Sequence, residues 1–121
     1  IKGTSDVLQG SITCYQANLK CSLLKISKQL IDKHSAESQQ VTDRMAANLK
    51  SVIKADIHAA ITGLASKGGS ETKTKPVGTI FMAVHYKGRL HHQRKLFKGT
   101  PRQIQTKACM ALYQFILKVI A

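Results

Sequence analysis

Ile61-Thr62-Gly63-Leu64-Ala65-Ser66-Lys67-Gly68-Gly69, with Lys75-Pro76-Val77-Gly78 shortly after it, decides how this chain is read. An apolar run from Ile57 to Ile61 enters the stretch, and a second, from Val77 to Val84, follows it. Strand, Gly-rich loop, strand is a layout in which backbone N–H groups and small side chains can approach a ligand closely. It places an expected binding site at one end of a sheet.

Working outward, Val77 to Tyr86 reads as a strand, Lys87-Gly88 as a compact turn and Arg89 to Phe97 as the returning hairpin partner. Thr100 is positioned to cap a last helix, with Pro101 at its first position, where a missing N–H costs nothing. Ile104, Ala108, Leu112, Phe115, Ile116 and Val119 lay one apolar stripe along that helix. Upstream, Asp56 to Thr62 is a strand whose near-continuous apolar character predicts cover on both faces. Ser35 and Ser38 are candidate caps for a long helix carrying Val41, Met45, Leu49, Val52 and Ile53 and ending near Lys54. Asn18 to Ile26 suits a short helix, continued by Leu30 and Ile31 after a break at Ser27, and Leu8 to Tyr15 reads as an opening strand. The expected fold class is α/β: a mixed sheet with helices packed against it and a C-terminal helix, in a single domain covering residues 1–121.

Composition bounds the alternatives. A chain of 121 residues holds one hydrophobic core. Apolar residues recur along nearly its whole length, which excludes a disordered chain, and no apolar run approaches the ~18–20 residues that span a bilayer. A cytoplasmic setting follows from the absence of a signal-peptide pattern and from three cysteines, Cys14, Cys21 and Cys109, without CxxC spacing. They read as small buried hydrophobes. His91-His92 is not a metal pair, since neighbours on a strand face opposite sides, so no metal and no cofactor is expected. The net charge of +13, from nineteen Lys and Arg against six Asp and Glu, implies attraction to phosphate. The one dense basic segment, Lys87 to Lys98, alternates with Leu90 and Leu96 as an exposed strand with one wet face does.

The order of these pieces resembles a known family. Gly3-Thr4-Ser5-Asp6-Val7-Leu8-Gln9-Gly10-Ser11-Ile12-Thr13-Cys14-Tyr15, with Lys20 five residues later, is similar to the pattern G-x-S-x-x-x-x-G-x-x-x-x-Y-x-x-x-x-K of the CinA C-terminal domain, also described as nicotinamide-nucleotide amidase. Ser38, Val41, Met45 and Ala46 fit that family's next helix. Thr62 to Gly69 resembles its T-G-I-A-G-P-G-G loop, Lys75-Pro76-Val77-Gly78-Thr79 matches K-P-V-G-T, and Phe97-Lys98-Gly99 matches F-x-G. The resemblance implies a three-layer α/β/α sandwich. It also implies hydrolysis of the amide of nicotinamide mononucleotide to the nicotinic acid nucleotide and ammonia, with this small nucleotide as partner and possible self-association.

Such chemistry is acyl transfer to water, needing a nucleophile, a base and donors for a tetrahedral oxyanion. The resemblance aligns Tyr15 and Lys20 with the family's Tyr and Lys, Lys20 as base or proton relay and Tyr15 holding the proton. Thr62 joins them as a catalytic candidate. Gly63 and Ser66 are candidate substrate contacts, and the amides of Gly68 and Gly69 with Lys75 a candidate phosphate nest. Tyr15, Lys20 and the glycine-lined loop are expected to share one hollow. The family's nucleophilic serine, in an A-E-S-x-x-x-G motif, is expected upstream of Ile1, so the domain reads as N-terminally incomplete. Ala36-Glu37-Ser38 has similar letters but opens a different helix. Ser66-Lys67 replaces Gly-Pro, and Gly99-Thr100-Pro101-Arg102-Gln103-Ile104-Gln105 departs from G-D-R-x-x-I-R. Two other readings compete with the enzyme. One is a non-catalytic nucleotide-binding or competence/damage-related partner module on the same fold. The other is a nucleic-acid binder resting on charge alone, with three Tyr, three Phe and no Trp.

Overall fold

The computed structural model describes residues 4–121, with side chains from Asp6 onward; Gly3, which opens the motif above, lies outside them. The chain runs α1 (Thr4–Val7), α2 (Ala17–Leu24), α3 (Lys28–His34), α4 (Gln39–Leu49), β1 (Ile57–Gly63), β2 (Thr79–Tyr86), β3 (Arg89–Leu96) and α5 (Pro101–Ile120). The sheet has the order β1-β2-β3, and both pairings are antiparallel.

Burial of the middle strand sets the layers. Thr79 through Val84 are all buried, so successive side chains of β2 feed two different cores. On one face Ile80, Met82 and Val84 meet Ile104, Ala108, Ala111 and Phe115, the inner stripe of α5, with Ile57, Ala59 and Ile61 of β1 beside them. On the other face Ala60 and Ala83 meet Ala46 of α4. Three alanines at that contact let α4 lie close to the sheet, where Gln39 Nε2 donates to Met82 O at 3.0 Å. Behind α4, a further core of Leu24, Ile26, Ile31 and Val41 holds α2 and α3. Helices therefore cover both faces, and the arrangement is an α/β/α sandwich.

Local signals place the ends. Thr100 and Gln103 form a reciprocal capping box at the start of α5, with Pro101 behind the cap. Ser27 caps α3 and Ser38 caps α4 through their side chains. The hairpin turns on Lys87 (φ 49) and Gly88 (φ 75), the pair of positive φ values that matches strand twist. Gly78 is irreplaceable in a different way: φ is 97, and a Cβ there would lie 1.9 Å from Phe97 O.

Four expectations need correcting. Residues 8–15 form no strand; Ile12 and Cys14 turn inward onto the α2–α4 core while Ser11, Thr13 and Tyr15 stay exposed. The alternation is that of a strand, but a ladder needs a neighbour, and among the described residues the segment pairs with none. The sheet is therefore antiparallel throughout rather than mixed. The long helix ends at Leu49 rather than near Lys54, because Ser51, Val52 and Ile53 donate back to Asn48 O and Leu49 O and turn the chain. Cys109 is exposed and Cys14 and Cys21 are only half-buried, so the thiols are not core residues. No helix among the described residues is long and apolar enough to cross a membrane.

Lys25 ends α2 in the left-handed region, φ 55 and ψ 34. A side chain with a Cβ is disfavoured there by roughly 1–2 kcal/mol relative to glycine. Lys25→Gly is expected to raise stability by about 1 kcal/mol, read as a higher urea midpoint at unchanged slope.

Candidate functional site

Lys20, the fourth residue of α2, is the most unusual polar side chain of the fold. It is 5% exposed, and its Nζ donates to Ala36 O at 3.1 Å. Burial pushes its proton affinity below the ordinary lysine value, while the Glu37 carboxylate and Cys14 oppose that shift. It lines a hollow of about 420 Å³ with Cys14, Tyr15, Glu37, Thr62, Gly63, Cys109 and an apolar wall that includes Met45, Ile61, Ile80 and Ile104. That volume lies in the range of small-molecule sites.

Thr62 sits on the α4 face of β1, and its Oγ1 is 2.8 Å from Thr42 Oγ1. Thr42 spends its only hydroxyl hydrogen on Ser38 O at 2.6 Å, a carbonyl that can only accept. Thr62 is therefore the donor of the shared bond, which leaves its hydroxyl oxygen with free lone pairs. Next to it, a Cβ on Gly63 would meet Ile80 Cδ1 at 2.3 Å and Thr79 O at 3.0 Å, so a larger residue there requires the Ile80 side chain to shift.

Of the residues expected to share one hollow, Tyr15, Lys20, Thr62 and Gly63 line it. Tyr15 does so only from the rim: its side chain is 94% exposed, because it follows irregular backbone rather than a strand end. Ser66, Gly68, Gly69 and Lys75 do not line the hollow. Ser66 is exposed. The Gly68 and Gly69 amides donate at 2.8 and 2.9 Å to the carboxylate of Glu71, so the chain's own anion fills the expected nest. Those bonds, Gly68's foremost, hold the Glu71 carboxyl below the usual carboxylate value.

Lys75 is committed elsewhere. Its Nζ donates to Ser35 Oγ at 2.8 Å, Glu37 O at 2.8 Å and Ser70 Oγ at 3.3 Å. Ser70 Oγ in turn donates to Glu37 Oε2 at 2.7 Å. Two ammonium groups, Lys20 and Lys75, thus hold consecutive carbonyls of the segment joining α3 to α4. The same segment contains Ser35 at φ 76 and ψ 154, a conformation essentially reserved for glycine. Sequence reasoning missed Glu37, Thr42 and Ser70 as members of this region. The only available signal was the four-residue spacing of Ser38 and Thr42 on one helix face. Among the described residues no group of three or more His, Cys, Asp or Glu is placed to hold a metal ion.

Comparison with known proteins gives the family and the fold. Residues 1–120 match the family model described as CinA C-terminal domain. A CinA-like protein of Prochlorococcus marinus subsp. pastoris is 36% identical over 123 residues, covering 97% of this chain and 28% of the relative. One from Thermotoga neapolitana is 34% identical over 118 residues, covering 98% and 28%. The chain thus spans well under a third of the length of these curated relatives. A crystal structure of a competence-damaged protein (CinA) superfamily protein from Escherichia coli superposes with a TM-score of 0.81 at 28% identity, covering 87% of this chain and 60% of that one. A competence/damage inducible protein from Agrobacterium tumefaciens shares the fold, with a TM-score of 0.82 at 21% identity over 89% of this chain and 66% of that one.

Lys75→Met keeps the aliphatic stem and deletes the ammonium, leaving Glu37 O and two hydroxyls short of a donor. A loss of about 1–3 kcal/mol is expected, measured by urea unfolding, with Lys75→Arg recovering part of it.

Proposed function

Because this chain belongs to the CinA C-terminal domain family, we propose that it carries the base and the amide-recognition groups of a nicotinamide-nucleotide amidase. The observation that supports this reading is the almost fully buried Lys20 amine in the same hollow as Thr62 and Gly63. Burial favours the neutral amine, the form that can accept a proton. In this reading the serine of the family's A-E-S motif, outside this sequence, attacks the carboxamide carbon. Lys20 takes the hydroxyl proton, then returns it to the departing nitrogen so that ammonia leaves. Water hydrolyses the acyl-enzyme, with Lys20 again accepting the proton and passing it to the departing serine oxygen, and the nicotinic acid nucleotide is released.

Thr62 recognises the amide. Its hydrogen is held by Thr42, so its lone pairs accept from the carboxamide N–H₂ group. A product carboxylate offers only acceptors at the same place and is repelled, which aids release. The pyridine ring rests on the wall of Met45, Ile61, Ile80 and Ile104. The amides of Gly68 and Gly69 take the phosphate, which displaces the Glu71 carboxylate, while Ser66 and Tyr15 contribute at the exposed rim.

The test is ammonia release from nicotinamide mononucleotide by the protein translated from its complete reading frame. Lys20→Met is expected to lower kcat by about 10²–10⁴-fold. Thr62→Val is expected to cost about tenfold or more in kcat/KM, through loss of one amide contact. An intact, folded protein that releases no ammonia would overturn the amidase reading.

A further inference from the structure

The far end of the sheet carries a second assembly of chemistry that the amidase reading does not use. Lys50 and Lys54 follow the end of α4, His58 lies on β1, His85 lies on β2, and Lys87 forms the hairpin turn. These five line one hollow of about 720 Å³, together with Tyr86 and a single carboxylate residue, Asp56. His58 and His85 are directly opposite in the antiparallel register, so their rings stand side by side on the α4 face. Lys50, Lys54 and Lys87 are all exposed. None of the three is within ion-pair distance of a carboxylate; the one bridge among the described residues joins His92 to Asp43.

His58 makes this more than a cluster of surface lysines. It is 5% exposed, and its Nε2 lies 2.7 Å from Ile53 O. A carbonyl only accepts, so Nε2 carries the hydrogen and Nδ1 is the open nitrogen of the neutral ring. Nδ1 has no partner among the described residues, and none of their buried side-chain nitrogens lacks one. Nδ1 therefore reaches solvent, on the side where His58 lines the hollow. The lysines are not needed by the end of α4. The carbonyls of Asn48 and Leu49 already accept from the backbone N–H groups of residues 51–53.

We propose that this hollow is a binding site for a phosphate-type oxyanion, held by Lys50, Lys54 and Lys87 and by the imidazolium forms of His58 and His85. His58 and Thr62 are four residues apart on β1, so the two sites are separated by about 13 Å along the strand. The proposal is independent of the amidase reading. Without an anion, a positive charge on His85 would lie beside three ammonium groups. His85 is indeed held below the ordinary histidine value, by burial first and then by Lys50 and His58. A bound dianion reverses that balance, so proton and oxyanion bind cooperatively and the site is strongest below neutral pH.

The experiment follows the imidazole resonances of His58 and His85 by NMR during titration with inorganic phosphate and pyrophosphate, against sodium chloride at matched ionic strength. A saturable shift of both histidines is expected, about tenfold tighter at pH 6 than at pH 8 for pyrophosphate, with the His85 titration midpoint moving upward. Lys50→Ser with Lys54→Ser is expected to weaken binding about tenfold, while Lys98→Ser with Lys118→Ser, which removes the same charge elsewhere, leaves it unchanged. His85→Gln should reduce the pH dependence while the fold persists. A short single-stranded oligonucleotide distinguishes the source of the phosphate. Shifts at the same histidines with a steep salt dependence assign it to nucleic acid, and their absence assigns it to a small phosphorylated ligand. Shifts that chloride reproduces, or that survive the Lys50 and Lys54 changes intact, would overturn the proposal.

Discussion

Two lysine amines resting on adjacent carbonyls are the constraint around which the candidate site is arranged. Lys20 reaches Ala36 O from α2, and Lys75 reaches Glu37 O from the loop between β1 and β2. Lys20 could not remain so far from water without its acceptor, because an unpaired buried polar group is costly to keep. The segment they grip could not keep Ser35 at φ 76 without being gripped. Strain and burial are mutually supporting here. The segment also carries Ser38, which caps α4 and whose carbonyl fixes the Thr42 hydroxyl, so the same restraint determines which way Thr62 points its hydrogen.

The strands and the last helix were legible because their signals are local. Val77 to Tyr86 is almost wholly apolar, Lys87-Gly88 is a turn by composition, and Thr100-Pro101 announces a helix start. The hollow was legible through Lys20, Thr62 and Gly63, whose spacing agreed with a family pattern. Residues 8–15 failed for a physical reason: period-two alternation reports which side chains turn inward, and says nothing of whether a partner strand exists to bond the backbone. Ile12 and Cys14 satisfy the pattern by packing on helices. The glycine-loop assignment failed at Gly68 and Gly69 because a ligand's place and a neighbouring side chain's place look alike in sequence. Glu71 is two or three residues away and reaches both amides. Lys75 was misplaced because nothing local shows that a lysine is saturated by residues some forty positions earlier.

Charge distribution gives the molecule two differently wired ends. Around Lys20 and Lys75, the carbonyls of Ala36 and Glu37, the Glu37 carboxylate and the Ser35 and Ser70 hydroxyls share the hydrogen bonds, and one wall of the hollow is aliphatic. At the hairpin end, three lysines and two histidines share a single acidic neighbour. The excess of basic residues is therefore not a uniform coating. It is balanced near the first hollow and left open at the second, along the same face of the same strand.

The Glu71 carboxylate on the glycine amides has a consequence for what the long loop can admit. A tethered competitor acts at an effective concentration of about millimolar or higher. Free anions at cellular trace levels lose that contest, and the loop stays folded on itself. An incoming molecule whose other end is already held by the protein enjoys the same tethering advantage and can evict the carboxylate. Two backbone N–H groups and one carboxylate would in this way favour a guest anchored at two points over a free ion.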